Sequence, residues 1–238
     1  MIFTPKTMLL AKIQAAIAAY RQWLQTTRHH PGVYKWEALQ HFQANWNLQA
    51  ADPVNMFDAS FQNSETRRLW QTEHWYPKKI MLEFWKMDPM TVRIMFDGLL
   101  NETRDVEVRI GQFLFGCDEL LRDYKRAHVA SIENNHYHGD YQMISLYLAF
   151  AYPDHYAPYE FRSFQKALTH FGARDIPQEN DPARCFKVLR TLMQFLEKEA
   201  GMVAAMQRHL HPQRHYSGKT LLLAEDFCRY VSQDVVVR

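Results

Sequence analysis

Proline and aspartate punctuate this chain. Asp52-Pro53, Pro77, Asp88-Pro89 and Pro182 each stand directly before apolar residues spaced three and four apart. Proline lacks an N–H and fixes φ near the helical value, so it suits the first turn of a helix. An aspartate just before it can accept the unpaired N–H groups of that turn. Such repeated starts predict short helices joined at tight corners. Between them the apolar residues keep a helical period. Leu9, Ile13, Ala16, Tyr20 and Trp23 form a first stripe, following a start at Thr4-Pro5. Tyr34–Trp46, Phe57 with Phe61, Asn63–Trp70, Ile80–Trp85 and Val92–Leu100 supply further segments. The longest runs from Arg104 to Arg126, with Val106, Ile110, Phe113, Cys117, Leu120 and Tyr124 on one side. Pro182–Ala200 and Thr220–Gln233 close the chain, apart from a strand-like Val235-Val236-Val237. The expected fold is all-α, an irregular bundle of about ten helices. The periodic pattern lapses between His128 and Glu133, so residues 1–128 and 134–238 are two expected lobes, or parts of one continuous domain.

The stretch from Asn134 to Phe171 carries the densest information. Gly139-Asp140 breaks the chain and caps a helix. From there Ile144, Tyr147, Leu148 and Ala151 predict one of the most buried helices. Tyr152-Pro153 ends it, because the residue before proline leaves the α region. After the stiff turn to Pro158, a further helix starting there places Phe161, Phe164, Leu168 and Phe171 on one stripe. Tyr159, Lys166 and His170 fall opposite, with Arg162 beside them. Cations one turn apart can follow a phosphate backbone, and a tyrosine ring can stack on a base. Tyr152, Tyr156, Tyr159, Arg162 and Lys166 are therefore the expected nucleic-acid-binding residues. An ordinary solvated face is the alternative.

Composition excludes some classes. The 238 residues are 47% apolar, enough for a sizeable core, and eight glycines are few for an all-β chain. A net charge of +2 does not by itself imply a nucleic-acid partner. Cys117, Cys185 and Cys228 lie far apart within helical patterns, which predicts buried thiols and a reducing, cytoplasmic setting. No apolar run has the length of a membrane span, and the N-terminal stretch reads as an amphipathic helix rather than a leader.

Catalytic motifs are incomplete. Ser217-Gly218-Lys219-Thr220 ends like a phosphate-binding loop, but Gln213 stands where that motif needs glycine, and no strand precedes it. A helix start is the better reading. His136-x-His138 with Asp140, and His209-x-His211 with His215, hold metal-ligating residue types. Zinc sites usually add nearby cysteines or a helical histidine pair, so no metal or other cofactor is assigned. Asp123-Tyr124-Lys125 has the letters of a nuclease motif but lies on the long helix. No catalytic residue is assigned.

Several segments together resemble the region preceding the motor domain in AAA+ ATPases of the 5-methylcytosine restriction (McrB-like) type. They are Tyr34–Leu39, Phe42–Asn47, Val92–Phe96, Arg104–Ile110, His136–Leu148 running into Tyr152–Tyr156 and Tyr159, and Leu223–Phe227. The resemblance implies a non-catalytic specificity or recognition module of a restriction-like defence system, binding nucleic acid such as DNA. Docking onto a partner protein, an AAA+ motor domain or a nuclease subunit is the alternative it implies. The resemblance stops at Arg238, before any Walker motif. The expectation is either an N-terminal region cut from a longer chain or a stand-alone relative, without nucleotide hydrolysis of its own.

Overall fold

The computed structural model describes residues 8–70, 76–129 and 133–232. Thr4-Pro5 and Val235–Val237 lie outside them. Twelve helices and no strand occur among the described residues: α1 (Leu10–Thr26), α2 (Tyr34–Asn45), α3 (Pro53–Ser60), α4 (Ser64–Trp70), α5 (Pro77–Met87), α6 (Pro89–Leu100), α7 (Val106–Ala127), α8 (Gln142–Ala151), α9 (Phe161–His170), α10 (Pro182–Lys198), α11 (Met202–Gln207) and α12 (Leu222–Ser232). The fold is all-α, as the periodicity predicts.

The Asp-Pro junctions work as capping chemistry requires. Asp52, Asp88 and Asp181 accept the N–H groups of Asn55, Thr91 and Arg184 at 3.0, 3.0 and 2.9 Å. At Asp88 the Thr91 hydroxyl adds a second bond at 2.6 Å, and these bonds hold its carboxyl below the usual range. The helix expected to run from Pro182 to Ala200 stops at Lys198. Gly201, in the left-handed region at φ 78°, then starts α11, which the periodicity does not separate.

Helix α8 sits at the centre. Met143 through Phe150 are all buried, on every side of the helix. Tyr147 packs among Phe57, Phe61, Phe96 and Phe113, with ring centroids 5.0–6.1 Å away. Trp85 stacks on Phe96 at 5.8 Å. Rings from α3, α5, α6 and α7 thus close around a residue beyond the expected lobe boundary. Buried apolar side chains from Met8 to Val231 belong to one cluster.

A second centre is polar. Asp226 of α12 is buried, accepting a 2.7 Å bond from the Tyr20 hydroxyl of α1 and a 3.0 Å bond from His30 Nε2. The Gly32 N–H donates to His30 Nδ1 at 3.0 Å, which leaves Nε2 as the protonated nitrogen. Lys35 of α2 pairs with Glu225 and lies 3.6 Å from Asp226, while Arg229 takes the other oxygen of Glu225. Burial alone would raise the Asp226 carboxyl. The His30 hydrogen bond, the Lys35 ammonium and the Tyr20 hydroxyl outweigh it and hold the group below its ordinary value.

The contribution of Asp226 to stability is therefore present above about pH 4 and is lost as pH falls through its lower folded value. Tyr20→Phe removes one bond to a buried carboxylate and is expected to cost about 1.5–3 kcal/mol near neutral pH. Urea titrations near neutrality and again in acid, once Asp226 is protonated, should show that difference shrink.

Candidate functional site

The nucleic-acid residues expected from sequence do not form one surface. Helix α9 begins at Phe161, with Glu160 as its cap accepting the N–H groups of Arg162 and Ser163. Pro158 is thus not its first residue, and Tyr159 belongs to the segment before the helix. That segment turns inward. Tyr159 is 2% exposed; its N–H donates to Ser145 Oγ at 2.8 Å and its hydroxyl accepts the Asp181 N–H at 3.0 Å. Burial pushes its phenol well above the ordinary value. Tyr156 is 6% exposed, its hydroxyl donating to Glu102 and accepting from the buried Arg109 guanidinium, which also donates to the Leu99 carbonyl. Tyr152 is half-buried and donates to the Leu100 carbonyl at 2.8 Å. The expectation that these rings stack on bases is corrected: Tyr156 and Tyr159 are built into the core, and all three hydroxyls bind the chain itself. Arg162 and Lys166 are exposed on α9, as the wheel places them, and neither joins an ion pair among the described residues.

An apolar concavity lies elsewhere. A groove of about 570 Å³ opens between α10, α11 and the segment 208–221, with Trp36 of α2 at its base. Met193, Val203, Met206, Leu210 and Tyr216 supply its apolar walls, and Glu197 and Lys219 bring opposite charges to it. Its loop wall is fixed at several points. The Tyr216 N–H donates to the Trp36 carbonyl at 3.0 Å, and the Leu221 N–H to the Pro153 carbonyl at 2.7 Å. Arg214 pairs with Glu37 at 2.9 Å. Thr220 Oγ1 accepts the Leu222 N–H at the start of α12, so the Ser217–Thr220 run serves as a helix start.

The two histidine clusters have different fates. His209 bonds the Leu24 carbonyl at 2.8 Å and packs on His30, while His215 accepts the His211 N–H. Burial lowers the pKa of His215. His211 and His215 line a wall of the groove, and the three do not converge as a metal set among the described residues. His136 and His138 do converge, and the third member is Cys117 of α7 rather than Asp140, which accepts the Gln142 N–H. Burial, then the neighbouring His136, pulls the His138 pKa down to about 3, so the ring is neutral. The groove and the cysteine were both missed in sequence. Apolar spacing does not say which apolar residues remain half-covered, and Cys117 lies 19 and 21 residues before the two histidines.

The inward tyrosine has a measurable consequence. Tyr159→Ala is expected to cost about 3–5 kcal/mol in urea denaturation, as for large core truncations. Arg162→Ala, three residues further on, should stay within about 0.5 kcal/mol of the parent.

No protein-family model matches the sequence, and no curated protein or solved structure matches it either.

Proposed function

We propose that the chain is a non-catalytic helical recognition module of a restriction-type (McrB-like) defence system, and that it works by docking a partner polypeptide. The observation that carries this reading is the groove beside α11. Its size falls within the range of ligand pockets, its walls are mostly apolar, and it is largely pre-formed by backbone hydrogen bonds. Val203, 38% exposed on α11, and the flexible Met193 and Met206 side chains give a surface that can repack around an apolar anchor. Glu197 and Lys219 can orient the partner by charge. The resemblance in Tyr34–Leu39 and Leu223–Phe227 supports the same reading, because Trp36 and Leu223 from those two segments both line the groove.

A second reading, binding of a nucleic-acid backbone, rests on Arg162 and Lys166. They are exposed, one turn apart and unpaired among the described residues. Without accessible tyrosines this face offers charge but no stacked base, so it supports affinity for phosphates rather than sequence choice.

Two experiments separate the readings. Peptides selected from a displayed library should carry apolar anchors and lose about tenfold or more in affinity to Val203→Arg, a central truncation-scale effect. Failure to enrich any peptide, or enriched peptides indifferent to Val203→Arg, counts against the docking reading. For the second, Arg162→Ala with Lys166→Ala should weaken DNA binding and flatten its salt dependence by about one to two contacts. Equal binding with an equal salt slope removes that face.

A further inference from the structure

We infer that Cys117, His136 and His138 form a buried site for a tetrahedral divalent metal of the zinc class, joining the 133–141 segment to α7. Each of the three residues offers one ligand atom, and these atoms lie within 4.8 Å of one another. All three side chains are buried. Thiolate with two imidazoles is a borderline-soft donor set, which suits zinc and not magnesium or calcium.

The hydrogen bonds around the histidines orient them for this role. The Nδ1 atoms of both are engaged by the loop backbone: His138 Nδ1 bonds the His136 carbonyl, and His136 Nδ1 accepts the His138 N–H at 3.1 Å. Both Nε2 atoms therefore turn to the helices. His138 Nε2 meets the Tyr147 hydroxyl of α8 at 3.1 Å, and His136 Nε2 meets Asp118 of α7 at 3.2 Å. An imidazole N–H held by a backbone carbonyl, with the opposite nitrogen free to ligate, is the usual arrangement of a metal-bound histidine. His138 has it. Ligation through His136 Nε2 moves that ring's proton to Nδ1 and gives up the bond from the His138 amide. With the Asp118 and Tyr147 contacts at the two Nε2 atoms, three hydrogen bonds are set against several metal–ligand bonds. The Tyr147 hydroxyl, 3.1 Å from His138 Nε2 and buried, is within reach as an oxygen fourth ligand. Zinc bond lengths imply ligand separations of roughly 3.3–3.8 Å, so the cluster closes by at most about 1.5 Å along its longest edge.

The backbone supports the assignment. Tyr137, between the two histidines, and Tyr141, just after them, both hold positive φ, at 59° and 67°. Such conformations are uncommon for residues with a side chain and persist where the surroundings demand them. Here they turn two histidines inward within three residues. With every candidate ligand covered by protein, the site is a closed, structural one and not a catalytic centre.

The test uses the full chain made without a histidine tag, stripped with a chelator and titrated with Co²⁺. The expected result is an intense thiolate-to-cobalt absorption in the near ultraviolet that saturates at about one equivalent, as a single Cys-containing site requires. Zn²⁺ should displace the cobalt and raise the Tm of the stripped protein. Cys117→Ser should abolish the charge-transfer band, whereas the double variant Cys185→Ser, Cys228→Ser should keep it. Should Cys117→Ser fail to fold, His136→Gln, at the edge of the cluster, supplies the same comparison. Wild-type protein with no cobalt–thiolate band, a Tm that Zn²⁺ leaves unmoved, or a band that survives loss of the Cys117 thiol would overturn the site.

Discussion

The buried carboxylate of Asp226 is the interaction on which the packing of both chain ends depends. An ionised group away from water is tolerated only when its neighbours replace the lost hydration. Tyr20, His30 and Lys35 do so here, and they come from α1, the α1–α2 connection and α2. Each must arrive in one orientation, because an acceptor left unpaired in the core costs far more than a displaced methyl group. The adjacent Glu225 repeats the constraint with Lys35 and Arg229. Such a network is weak evidence for extra stability, since an apolar replacement of similar shape is often as good. Its effect is on register. Sliding α12 by one turn would part Asp226 from Tyr20, His30 and Lys35, and Glu225 from Lys35. Gly32 shows how closely the parts fit: a side chain there would run into the Asp226 carboxylate and the His30 ring.

That register places the groove. Lys35 is held by Glu225, so its neighbour Trp36 is fixed beneath the 208–221 segment, whose Tyr216 bonds the Trp36 carbonyl. Leu223, two residues before Glu225, lines the same groove. The polar centre and the apolar concavity are therefore two sides of one junction. Trp36 and Leu223, from the start of α2 and of α12, are where the two sides meet.

What was legible in the sequence follows from the range of the forces involved. Helix starts at Asp52-Pro53, Asp88-Pro89 and Asp181-Pro182 are set within four residues, by a carboxylate and a missing N–H, and they hold in the structure. The burial of α8 was readable from the stripe of Ile144, Tyr147, Leu148 and Ala151, and the structure extends it from Met143 to Phe150 on every side. Tyr159 was misplaced by a shift of the helix start from Pro158 to Phe161. On a helix that shift moves a side chain most of the way round the axis. Outside the helix, the ring is instead directed by Ser145 and Asp181, bonds spanning 14 and 22 residues that no local pattern encodes.

The histidines illustrate the same limit from the other side. Read locally, His136-x-His138 lacks a cysteine, and Asp140 is the nearest further donor. The fold brings Cys117 instead, because the heptad-like stripe that turns Cys117 and Phe113 toward the core of α7 also turns them toward Tyr147 and the 133–141 segment. A cysteine on a core-facing stripe reads as a small apolar residue until its neighbour across the interface is known. That neighbour is polar here, in a core otherwise filled with rings. His138 is fully buried beside Phe113, and the loop carrying it holds two left-handed tyrosines. An apolar residue at 138 would fill the same space with no strained backbone and no polar atoms to satisfy. Its absence from a position so well suited to one is what makes the pair of imidazoles a feature to be explained by chemistry rather than by packing.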